Sequence, residues 1–141
     1  MAVITKTIQL ETKGETDIID ITKRVAEAFR KSELVNGAVT IFVSGATGAL
    51  TTVEFEDGLI QDLKTAFEKI APRRADYAHN LRWSDGNGFS HVRASLLGPS
   101  LSVPFSKGKL LLGTWQQIIF IDFDNRPRSR ELVFQFIGDK K

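Results

Sequence analysis

The chain reads as a single α+β domain, with mainly antiparallel β-sheets packed as a sandwich against two helices. Three observations point that way. Helical spacing of apolar residues is confined to the first half, and strand-like alternation fills the second. There is no linker, repeat or low-complexity tract. A length of 141 residues suits one domain, taken as 1–141, and 10 phenylalanines can fill a sizeable core.

The elements follow in order. Val3–Leu10 alternates as a strand, and Gly14 ends it. Asp17–Lys31 carries Ile21, Val25, Ala28 and Phe29 on one helical face, with Asp20 or Thr22 as cap. Asn36-Gly37 signals a turn. Ala38–Val43 is so uniformly apolar that it reads as a strand buried on both faces. Leu50–Glu56 alternates again. Gly58–Ile70 places Ile60, Leu63, Phe67 and Ile70 at helical spacing, and Pro72 stops it. Tyr77–Ser100 has no simple period and reads as a loop-built site, with a short helix from Ser90 to Leu97. Leu101, Val103 and Phe105 alternate, with Pro104 suggesting an edge. Trp115–Asp124 and Arg128–Ile137 read as a long hairpin with apolar residues on both faces. Either the domain covers both faces or another subunit covers one, so a homo-oligomer is expected.

Composition narrows the function. The net charge of +2 is small, and lysines and arginines are scattered, so nucleic acid is not an expected partner. Zero cysteines excludes disulfides, thiol catalysis and cysteine-bound metal. No apolar run reaches the roughly 20 residues that cross a bilayer, and the N-terminus lacks a leader layout, so the expectation is a cytoplasmic protein without a membrane partner. No phosphate-loop, dinucleotide, zincin or serine-elbow signature occurs.

Chemistry concentrates in Tyr77–Ser100, which holds the only two histidines, His79 and His91. Imidazoles bind zinc-like ions or move protons. A catalytic zinc usually takes about three protein ligands, so two histidines are one short. Asp85, Glu54 or Asp62 could supply the third. Gly86-Asn87-Gly88 either offers backbone N–H groups to an anion or is a tight turn. Arg73, Arg74, Arg82 and Arg93 cluster around the stretch, and guanidinium suits phosphate. Trp83 or Trp115, the latter beside Thr114, offers a flat face to a ring or simply packs in the core. Arg126, Arg128, Arg130 and Glu131 read as surface charges or intersubunit pairs.

Taken together, Tyr77-Ala78-His79, Asn87 through His91, Ala94–Ser100, Val103-Pro104, Gly113-Thr114-Trp115-Gln116, Arg126-Pro127-Arg128 and Asp20-Ile21-Thr22 resemble the YjbQ-like family. Its members are also called secondary thiamine-phosphate synthase enzymes. The resemblance implies a compact α+β protein assembling as a homotrimer, with a pocket near subunit boundaries and histidines able to bind a divalent metal, Mg or Zn. It also implies a thiamine phosphate synthase activity, joining hydroxymethylpyrimidine diphosphate to thiazole phosphate and releasing diphosphate. The alternative is a non-catalytic trimeric protein that binds a metal or small anion. On this likeness His79, His91 and Asp85 are the catalytic candidates, and His79, His91 and Glu54 the metal ligands. Asn87, Arg82, Thr114, Trp115, Thr47 and Ser100 would hold the phosphorylated ligand. One departure stands out. The family usually carries His-Thr-Thr-Ala after the buried strand, where this chain has Gly45-Ala46-Thr47-Gly48. Gly45 stands where the family carries that histidine, so the resemblance implies a metal site that is weaker, completed by a carboxylate or absent, or else a glycine-rich link offering backbone N–H donors to an anion.

Overall fold

The computed structural model describes residues 1–141. Eight strands and four helices alternate as β1 (Ala2–Thr12), β2 (Asp17–Asp20), α1 (Thr22–Ser32), β3 (Leu34–Val43), β4 (Gly48–Val53), α2 (Asp57–Ile70), α3 (Ala78–Trp83), α4 (Gly88–Leu97), β5 (Ser100–Ser106), β6 (Lys109–Leu110), β7 (Gln117–Asp122) and β8 (Arg128–Lys140). The strands form a five-stranded sheet ordered β1-β8-β3-β5-β6 and a three-stranded sheet ordered β2-β7-β4. Every pairing is antiparallel. The α+β class is as expected; besides the two main helices, the short helix expected over Ser90–Leu97 forms as α4, and α3 is additional.

The expected hairpin of the last two long strands does not form. β7 pairs with β2 and β4 in the small sheet, whereas β8 pairs with β1 and β3 in the large one. Residues 123–127 carry the chain from one sheet to the other. The two-sided apolar pattern of β7 has its explanation here. Ile118 and Phe120 face the core shared with the large sheet and α1, while Ile119 and Ile121, with Phe123 just beyond, face α2 and α4. Alternate residues point to opposite faces of a strand, so a central strand between two layers must be apolar throughout. The domain itself therefore covers both faces of β7.

β3 was expected to be the doubly buried strand, and it is not. Val39, Ile41 and Val43 are buried, but Thr40 and Phe42 are exposed. One face of the large sheet remains open, so β3 is one-sided. Asn36-Gly37 makes no turn and lies within β3, at a register shift against β8. The expected helix from Asp17 begins later, because Asp17–Asp20 pairs with β7. The Asp20 carboxylate accepts from both the Thr22 N–H (2.9 Å) and its hydroxyl (2.6 Å), turning the chain into α1. α2 starts one residue earlier than expected, with the Glu56 side chain accepting from Gly58 N–H at 2.8 Å as its cap.

The aperiodic stretch is more regular than expected, because it folds into α3 and α4. Gly88 makes this packing possible. A Cβ there would lie 2.5 Å from Tyr77 Cβ, so only glycine lets the start of α4 meet the residue before α3. Asn80 Oδ1 then accepts from the Gly88 N–H at 2.8 Å, tying the two helices.

Candidate functional site

α3 and α4 bring the two histidines together. Their ring centroids lie 4.4 Å apart, with planes tilted by 40°. Asp85, in the link between the helices, places Oδ1 3.4 Å from His79 Nδ1. The three residues expected to do chemistry are thus neighbours. His91 also lines a cleft of about 230 Å³ with Gly45, Ala46, Gly48, Ala94, Ser95 and Pro99. One wall is the glycine-rich link before β4, and the other is α4.

A buried polar network underlies both walls. Asp122 and Asp124, at the end of β7, are almost fully buried. Asp122 takes a two-pronged contact from Arg130, with Nε to Oδ2 at 2.8 Å and Nη2 to Oδ1 at 2.9 Å. Thr12 donates to Asp122 Oδ2 at 2.6 Å. Asp124 Oδ2 accepts from Thr47 Oγ1 at 2.9 Å, Asn87 Nδ2 at 3.2 Å and Arg128 Nη2 at 3.1 Å. Thr47 belongs to one wall of the cleft, and Asn87 is the residue on which α4 starts. One carboxylate oxygen therefore fixes the spacing between the walls. Asp124 Oδ1 makes no hydrogen bond in the chain, and neither does His79 Nδ1, whose approach to Asp85 is a charge contact without hydrogen-bond geometry.

These surroundings set the charges. Burial, followed by the neighbouring His79, holds His91 below the ordinary 6.5, although Asp85 and Asp124 pull the other way. His91 is therefore a neutral imidazole at physiological pH, able to accept a proton or a donor. Burial alone would push the Asp124 carboxyl up, but hydrogen bonds from Arg128, Asn87 and Thr47 outweigh it and keep the group below its usual value. The Asp122 hydrogen bond raises Arg130 further, so its charge is permanent.

Other expected residues lie elsewhere or have other work. Asn87 and Thr47 are close by, but their side chains point into the network. Ser100 is exposed at the start of β5, one residue past Pro99 of the cleft. Glu54 is exposed beyond Val53, while the cleft lies at the Gly48 end of β4. Six residues of strand span about 20 Å, so Glu54 does not reach the imidazoles. Thr114 and Trp115 precede β7, at the opposite end of that strand from Asp122. Trp115 does not open the strand and is 70% exposed.

The four clustered arginines also miss the cleft. Arg82 lies over the Trp83 ring at 5.5 Å. Arg73 holds Glu15 through Nε at 2.7 Å. Arg93 is buried and donates to the Ala71 carbonyl, Thr16 and Glu68. Arg74 is exposed and donates no side-chain hydrogen bond. No three histidine, aspartate or glutamate side chains converge as a metal-binding group within this chain. Glu54 lies away from the two imidazoles, and Asp85 is the carboxylate next to them.

The fold and the paired histidines define a small α+β protein with a cleft-side imidazole pair. A family model described as UPF0047 protein YjbQ-like matches residues 6–139. The chain belongs to this family. It is 38% identical over 138 residues to a UPF0047 protein of Methanothermobacter thermautotrophicus, covering 98% of this chain and 94% of that one. Over 126 residues it is 40% identical to a UPF0047 protein of Archaeoglobus fulgidus, covering 89% and 95%. Among solved structures, a YbjQ-like protein of unknown function from Sulfolobus solfataricus superposes with a TM-score of 0.93 at 31% identity, covering 98% of this chain and 99% of that one.

Asp122, Asp124 and Arg130 escaped sequence reasoning. The available signal was the matched spacing of Asp122-Phe123-Asp124 and Arg128-Ser129-Arg130, two acids and two bases at period two on either side of a sheet-to-sheet corner.

The depressed His91 pKa gives a signed expectation. Below about 6.5 the unfolded chain binds more protons than the folded one, so stability present above that pH falls as pH drops through the folded value. A proton NMR titration should give a His91 midpoint below 6.5. In Asp124→Asn the midpoint should drop further, because a stabilising negative charge is gone. An unchanged or higher midpoint in that variant would contradict the electrostatic assignment.

Proposed function

We propose that the cleft beside His91 binds a small phosphorylated ligand, with the His79–His91 pair positioned to ligate it or to move a proton. The observation that carries this reading is two imidazoles 4.4 Å apart, one of them lining a cleft whose opposite wall is Gly45, Ala46 and Gly48. Small residues let a ligand approach backbone N–H groups closely. A neutral His91 accepts a proton without first losing one.

The finer form of this reading is the condensation of hydroxymethylpyrimidine diphosphate with thiazole phosphate, releasing diphosphate. Its support is the family likeness together with a cleft suited to phosphoryl groups. In that reaction the cleft would hold the departing diphosphate, whose charge grows as it leaves. His79, with Asp85 beside Nδ1, would orient the neighbouring ring. A non-catalytic trimeric protein that binds a metal or small anion at the same cleft is the competing form.

The test is release of diphosphate from the two substrates. His91→Ala should lower turnover by about a hundredfold or more, the usual contribution of one general acid–base residue. Its urea midpoint should change little. Diphosphate binding without conversion would select the non-catalytic form.

Assembly as a trimer belongs to the same proposal. Leu81, Trp83, Val92 and Leu96 of α3 and α4 are exposed apolar side chains, and another chain covering them would close the site. Light scattering should report three chains; the mass of one would contradict this part.

A further inference from the structure

Arg130 is committed on two of its three guanidinium nitrogens. Nε and Nη2 hold Asp122, and Nη2 also reaches Thr47 Oγ1 at 2.6 Å. Nη1 makes no hydrogen bond within the chain, yet it is not a sealed, unpartnered buried atom. It faces Gly45. A Cβ built on Gly45 would stand 3.1 Å from Nη1 and from no other neighbouring atom within 4 Å.

Gly45 does not occupy the left-handed region, so backbone conformation does not demand glycine there. What glycine contributes is empty space over a guanidinium nitrogen. Arg130 is not itself a lining residue of the cleft; Gly45 is, and Nη1 stands behind it, so the missing side chain is what leaves this nitrogen within reach from the cleft. A purely structural arginine accounts for Nε and Nη2, since Asp122 needs a buried counter-charge. It does not account for a third nitrogen left uncovered behind Gly45.

We propose that Arg130 Nη1 is the anion-holding donor of this cleft, and that Gly45 determines specificity by leaving it uncovered for the phosphoryl group of a small phosphate or diphosphate ester. The inference rests on the proposed function and names the ligand chemistry of that same site. Asp122 and Asp124 against Arg128 and Arg130 leave the network without net charge. Affinity therefore comes from directed N–H bonds rather than a broad positive field. Planar guanidinium, fixed on one edge by Asp122, presents its remaining N–H groups at a set angle, which suits tetrahedral oxyanions. Any side chain at position 45 would crowd this nitrogen.

The experiment is calorimetric titration of the full chain with inorganic pyrophosphate at fixed ionic strength, alongside Gly45→Ala. The added methyl presses on Nη1 and leaves the Asp122 and Thr47 bonds in place. Pyrophosphate should bind about tenfold more weakly, the equivalent of one charge-assisted hydrogen bond. The urea midpoint should not move. As a second readout on the unmodified protein, the Arg130 Nε–H resonance should shift on adding pyrophosphate, which decides the matter even if Gly45→Ala folds poorly. Equal affinity in Gly45→Ala, with an unmoved Arg130 resonance, would overturn the role of Arg130 while leaving the cleft as the binding site. Absence of pyrophosphate binding by the unmodified protein would overturn both.

Discussion

The corner between the two sheets is held by buried charge. β7 ends in Asp122 and β8 begins at Arg128 in a different sheet, so the chain must turn through the interior edge of the sandwich. Two carboxylates sit there almost without solvent. Burying such groups is unfavourable unless they are paired and hydrogen-bonded throughout. Arg130 and Thr12 on Asp122, and Thr47, Asn87 and Arg128 on Asp124, meet that demand almost completely. The corner satisfies all of these contacts at once, so the network ties together the sheets, the Gly45–Gly48 link and α4.

The cleft is a consequence of that linkage. Thr47 and Asn87 meet on one oxygen of Asp124, so neither wall can shift without breaking a bond to a buried charge. α4 then presents His91 one turn after Asn87, with the His91 N–H pointing to the Asn87 carbonyl. α3, tied through Asn80 to Gly88, sets His79 against it. The imidazole pair is thus preorganised by contacts that do not themselves touch the cleft. This is how a small domain can keep a polar site rigid.

Much of this was legible in the residues alone. α2 announced itself through the spacing of Ile60, Leu63, Phe67 and Ile70 and through Pro72. The meeting of His79, Asp85 and His91 followed from their packing into one short stretch. The hairpin reading of the last strands failed because neighbours in sequence were taken as neighbours in the sheet, and the buried corner separates them. The two-sided apolar pattern was read in both Ala38–Val43 and Trp115–Asp124; it holds for β7, which lies between two layers, and fails for β3, where Phe42 is exposed. Arg130 looked like a surface charge because its partners, Asp122 and Thr47, come from another sheet and from a link far back in the chain. The one local trace of that long-range register is the matched period-two spacing of Asp122 and Asp124 with Arg128 and Arg130. Trp115 and Glu54 looked equally suited to a site, and strand geometry carried them to the wrong end.

The most direct measurement is a crystal structure of the protein grown with inorganic pyrophosphate. The account expects the anion in the cleft, touching the Gly45–Gly48 backbone, Arg130 Nη1 and one imidazole, with the Arg130–Asp122 pairing intact. An anion bound elsewhere, or Arg130 released from Asp122 and turned out to solvent, would contradict it.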